Sequence, residues 1–140
     1  MLAALPLLAL PVLLYNVLAL TIAGGFRGTG AADRLSAKLF DIPMASHADW
    51  AVSLGDLLLG GSLVVLFVEL LKSTTSRQVA IVNHSLSMVL FIACLVEFLL
   101  FPAFATSTFF LLALMVLLDV LAGFIVTIVA SRRDIDFHDS

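Results

Sequence analysis

Reactive side chains in this sequence are concentrated in four carboxylic acids, Asp56, Glu69, Glu97 and Asp119, which stand in stretches otherwise apolar enough to cross a lipid bilayer. A carboxyl group at membrane depth costs several kcal/mol unless it is neutralised or paired, so each is a candidate proton carrier, cation ligand or tie between helices. Asn16, Asn83 and His84 add amide and imidazole groups to the same kind of surroundings. They are candidate partners for those acids.

The elements that must position these groups follow from segment length. About 20 apolar residues cross a hydrocarbon core of roughly 30 Å. Four segments qualify, 2–26, 50–71, 79–101 and 105–130. Gly24, Gly25, Gly28 and Gly30 close the first, a polar turn over 72–77 separates the second from the third, and Pro102 separates the third from the fourth. Connections this short set the last three helices antiparallel. The expected fold is all-α: one integral membrane domain over 1–140, four transmembrane helices in an up-down antiparallel bundle, and a polar tail over 131–140. Pro6 and Pro11 predict a kink or a late start in the first helix. That span is longer than the roughly 7 to 15 residue core of a secretory signal and has no Lys or Arg before it, so it reads as a helix of the protein itself. In the one long connection, 33–42 puts Leu35, Leu39 and Ile42 on one helical face, away from Arg34, Lys38 and Asp41. The pattern predicts a short interfacial helix in the headgroup plane, ended by Pro43.

Composition agrees with a membrane location: 62% of residues are hydrophobic and the mean hydropathy is +1.19, against roughly 45 to 50% apolar in soluble domains. The formal charge is -3, and removing the four acids in the spans leaves a water-exposed balance of about +1, which argues against a nucleic-acid partner. A single cysteine, Cys94, rules out an internal disulfide or a multi-cysteine metal site. Haem held by two histidines needs a second His at the depth of His84, whereas His47 and His138 fall in the loop and the tail. No cofactor or metal is expected. Lys72, Arg77, Arg132 and Arg133 share one side of the membrane against Arg27, Arg34 and Lys38 on the other, which predicts cytoplasmic termini, and the small size suggests a bacterial inner membrane. Trp50, Phe101 and Phe104 are then expected in an aromatic belt at the opposite face.

Spacing also predicts which polar groups meet. Asp56 lies six residues from Trp50 and Glu97 four from Phe101, so at ~1.5 Å per residue both fall ~6 to 9 Å below the same face. They can form a carboxyl pair sharing a proton, or each can bond a neighbour. Asp119 and Asn16, both near mid-membrane, are expected to tie two helices. Glu69, three residues before Lys72, is expected to pair with it near the headgroups. His84 is expected to bond a helix neighbour. Other apparent motifs fail on context: the glycines over 25–30 follow no strand and precede no Gly-Lys-Ser/Thr, Asn83-His84-Ser85 matches a glycosylation acceptor at a membrane entrance, and the hydroxyls over 73–76 suit helix caps.

No reactive constellation emerges, so the chain is not expected to be an enzyme. The expected role is an accessory, scaffold or assembly subunit of a homo-oligomer or larger membrane complex, its partners being the bilayer and other membrane subunits or further copies of itself. Gly60, Gly61, Ser62 and Gly123 suit close helix contact. The alternative is a proton- or cation-coupled transporter or channel using Asp56, Glu97 and Asp119. A connection of 23 residues in the first half against a few in the second speaks against duplicated, inverted halves.

Overall fold

The computed structural model describes residues 5–72 and 77–136. In chain order these form helix α1 (Ala9–Thr21), a short helix α2 (Ala31–Ser36), a hairpin of β1 (Lys38–Pro43) and β2 (Asp49–Ser53), helix α3 (Leu54–Lys72), helix α4 (Arg77–Leu100), a 3-10 turn (Pro102–Phe104) and helix α5 (Ser107–Asp136). Three helices are long and apolar enough to cross a membrane: α3, Ile81–Leu100 of α4 and Ser107–Val129 of α5, with 19, 20 and 23 residues. At ~1.5 Å per residue they measure about 29, 30 and 35 Å, matched to the hydrocarbon core.

Large apolar side chains cover the outside of the helices, and the interior holds polar groups beside its apolar core. Phe67, Val89, Leu99 and Leu100 point outward, each more than 60% exposed, while Ser62, Glu69, Asn83, Ser87, Thr106 and Asp119 are buried. Lipid satisfies the outer surface, and the polar groups must satisfy one another inside. The α4 and α5 helices run antiparallel: Phe98 stacks on Phe110 at one end, Ser87 meets Asp119 further along, and His84 packs on Gly123 beyond that.

Two segments differ from the sequence expectation. The first helix has only 13 residues, about 20 Å, rather than covering 2–26. Turns at Pro6 and Leu7, whose carbonyls accept from Ala9 and Leu10 at 3.1 and 3.0 Å, delay its start. It stops at Thr21, because Gly24 and Gly25 adopt φ of 83° and 95°, a left-handed conformation that glycine reaches without steric cost. Over 33–42, helix is confined to α2, and the rest is strand. The Lys38–Pro43 strand pairs antiparallel with Asp49–Ser53, Phe40 opposite Val52 and Pro43 opposite Asp49. Pro43 biases Ile42 to extended backbone, and Trp50 and Val52 are good strand formers, so the hairpin wins over a helix whose pattern was equally amphipathic. The β2 strand therefore takes 50–53 from the expected second span, and α3 begins at Leu54.

At the hairpin end of the helices, Tyr15 is 1% exposed, and its hydroxyl donates to the Ala103 carbonyl at 3.0 Å and lies 2.6 Å from Thr106 Oγ1. Thr106 Oγ1 also accepts from the Phe109 amide at 3.1 Å, capping α5. Around these bonds Tyr15, Phe26, Phe104 and Phe109 form an aromatic cluster with centroids 4.7 to 5.5 Å apart. Phe104 is fully buried there instead of facing an interfacial belt, because the 3-10 turn swings it inward. Tyr15→Phe should lower the unfolding free energy by about 1 to 2 kcal/mol, since it leaves the Ala103 carbonyl without that donor. Thr106→Val should cost a similar amount through loss of the Phe109 cap, and the double variant should cost more than either but less than their sum, because one bond is shared, as judged by denaturing-detergent titration of purified protein.

Candidate functional site

Glu69 lies in the last turn of α3, and its side chain is fully buried. Its Oε2 accepts from the backbone amide of Leu7 and its Oε1 from Asn83 Nδ2 on α4. Lys72 Nζ stands 3.6 Å from Oε1 and donates to the Leu5 carbonyl at 2.7 Å. The expected pairing with Lys72 is present, and Glu69 is also a buried junction of three chain segments. It accepts at both oxygens, one from each neighbouring segment. Because the Asn83 amide nitrogen must face that carboxylate, its Oδ1 faces away, and this oxygen is buried with no hydrogen-bond partner.

One turn along α4 from Asn83, Ser87 Oγ lies 2.5 Å from Asp119 Oδ2 and 3.0 Å from the Asn83 carbonyl. Asp119 on α5 is fully buried, its Oδ1 has no hydrogen-bond partner, and Glu69, Lys72 and His84 are within electrostatic range of it. The His84 ring rests against the backbone of Gly123, one turn beyond Asp119, and neither ring nitrogen has a hydrogen-bond partner. Residues of α3, α4 and α5 thus converge on one polar seam. A groove of about 250 Å³, lined by Ile81, Ser85, Met88 and Phe124, opens beside His84.

Toward the hairpin end the remaining candidates are separate. Asp56 is exposed and forms a reciprocal capping box with Ser53: Asp56 Oδ2 accepts from the Ser53 amide at 2.9 Å and its hydroxyl at 2.6 Å, and the Asp56 amide donates to Ser53 Oγ at 3.2 Å. A carboxylate in a first helical turn also meets the favourable end of the helix dipole. Glu97 on α4 instead receives Asn16 Nδ2 at 3.3 Å, the same amide donating to Val12 O at 3.1 Å. The structure therefore joins Glu97 to Asn16 and Asp119 to Ser87, rather than Asp56 to Glu97 and Asp119 to Asn16. The contacts Tyr15–Thr106 and Ser87–Asp119 went unread in the sequence; a lone tyrosine hydroxyl in an apolar run was the available signal for the first.

Among the described residues no three His, Cys, Asp or Glu side chains come together as a metal site. Comparison with protein-family models, curated proteins and solved structures returns no match.

Proposed function

We propose that the chain is a non-enzymatic accessory, scaffold or assembly subunit of a bacterial inner-membrane complex or homo-oligomer. In this reading α1 joins α3, α4 and α5 as a fourth, short member of an up-down bundle, with both termini cytoplasmic. The observation that carries it is that three of the four acids bond across to another segment, Glu69 to Asn83 and Leu7, Glu97 to Asn16 and Asp119 to Ser87, while Asp56 caps its own helix with Ser53. Bonds of this kind fix helices against one another. Outside the helices the hairpin exposes Leu39, Phe40, Ile42, Met44 and Trp50, five large apolar side chains on a two-stranded element. An isolated hairpin is marginal alone, and such a patch suits a partner subunit or the headgroup layer.

The second reading, proton- or cation-coupled conduction, is favoured by one observation, the buried unpartnered oxygens of Asn83 and Asp119. Purification from native membranes in mild detergent, with mass determination of everything retained, separates the two. A stoichiometric complex or homo-oligomer is expected. A lone monomer that passes protons or cations across liposomes, and loses that flux with Asp119→Asn or Glu97→Gln, would overturn the accessory reading.

A further inference from the structure

Hydrogen counting at the α4–α5 seam bears on whether Asp119 carries a proton. Ser87 has one hydroxyl hydrogen, yet its oxygen lies 2.5 Å from Asp119 Oδ2 and 3.0 Å from the Asn83 carbonyl, two acceptors if Asp119 is ionised. The arrangement closes when a hydrogen sits on Asp119: the acid donates to Ser87 Oγ, and Ser87 donates to the Asn83 carbonyl.

Charge counting gives the same answer. Among the described residues Lys72 and His84 are the basic groups within range, and Lys72 stands beside Glu69, which already accepts from Leu7 and Asn83. An ionised Asp119 would be a second buried negative charge with Oδ1 bare. The group facing it from α4, His84, offers no relief, because an imidazolium would carry two buried N–H groups without partners where the structure shows none. A neutral acid leaves only a bare carbonyl-type oxygen, a far smaller desolvation cost than a bare carboxylate oxygen.

We infer that the Asp119–Ser87 seam is a proton-binding site, with Asp119 held as a neutral carboxylic acid beside the Glu69–Lys72 ion pair. This goes beyond the accessory role and stands apart from it, since it concerns a bound proton and not a bound partner.

The test is infrared spectroscopy of the full-length protein in lipid vesicles at neutral pH, with the aspartate carboxyls isotopically labelled to separate them from Glu69 and Glu97. A label-sensitive carboxylic-acid C=O band is expected in the wild type, lost in Asp119→Asn and moved to higher frequency in Ser87→Ala, which removes its acceptor. Ser87→Ala leaves the carboxyl in place, so the test holds even where Asp119→Asn fails to fold. Asp119→Asn should also shift the folding equilibrium by less than about threefold, because it keeps the neutral charge and a donor. Absence of a label-sensitive acid band overturns the inference. So does a carboxylate band that moves when sodium replaces a bulky organic cation, the signature of a metal cation in place of the proton.

Discussion

Glu69→Ala is expected to destabilise the protein by about 2 to 4 kcal/mol in a denaturing-detergent titration, the range for removing one member of a buried, hydrogen-bonded charge pair. Two donors lose their acceptor at once, the Leu7 amide and Asn83 Nδ2, and Lys72 loses its ion-pair partner. Lys72 moderates the loss, because its side chain is 22% exposed and can extend toward the headgroups. The Leu7 amide has no such escape. It stands two residues ahead of α1, within the turns that delay the helix start, and Glu69 is the side chain that holds it against α3. Glu69→Gln should recover only part of the stability, since its amide nitrogen turns a donor toward either the Leu7 amide or Asn83. A cost below about 0.5 kcal/mol for both variants would show that the junction contributes little. The contrast with Asp119 is the informative part: one neutral substitution removes an anion the structure uses, the other replaces an acid already neutral.

The long helices were legible because their cause is local. Apolar runs of 19 to 23 residues, broken by a polar turn and by Pro102, leave no other way to satisfy backbone groups in lipid. The hairpin was not legible, because strand pairing between 38–43 and 49–53 is a contact between segments, and the spacing of Leu35, Leu39 and Ile42 fits a helix face equally well. Within the site, the Glu69–Asn83 contact was recoverable in principle, because both residues lie near the facing ends of two apolar spans separated in sequence by a short polar segment. Depth reasoning assigned Asp56 to membrane depth because it took Trp50 as a helix start; with four of those residues in β2, Asp56 becomes a first-turn cap. Tyr15 and Thr106 are 91 residues apart, and no local pattern announces their contact.

Gly123 offers the other large effect. Replacing glycine by alanine inside a helix ordinarily stabilises it by about 0.5 to 1 kcal/mol. Here a Cβ would lie 2.0 Å from His84 Cγ and 2.1 Å from Nδ1, an overlap with the root of the ring and not with a flexible tip. Relief requires the imidazole to leave its position or α4 and α5 to separate, and overpacking of this kind costs about 1 to 3 kcal/mol, enough to reverse the sign. Gly123→Ala should therefore destabilise, and Gly123→Val more strongly. His84→Ala vacates the clashing volume, so the His84→Ala/Gly123→Ala pair should recover most of the loss, with a coupling energy of about 1 to 2 kcal/mol in a double-mutant cycle. The same separation would pull Ser87 from Asp119, because both contacts lie on one seam within a turn of each other. Gly123→Val should accordingly move the Asp119 acid band as Ser87→Ala does, though it alters no group in that hydrogen bond. If the band stays put while stability falls, His84 yields by rotating and the seam holds; if both move together, helix spacing at Gly123 controls the proton-bound contact.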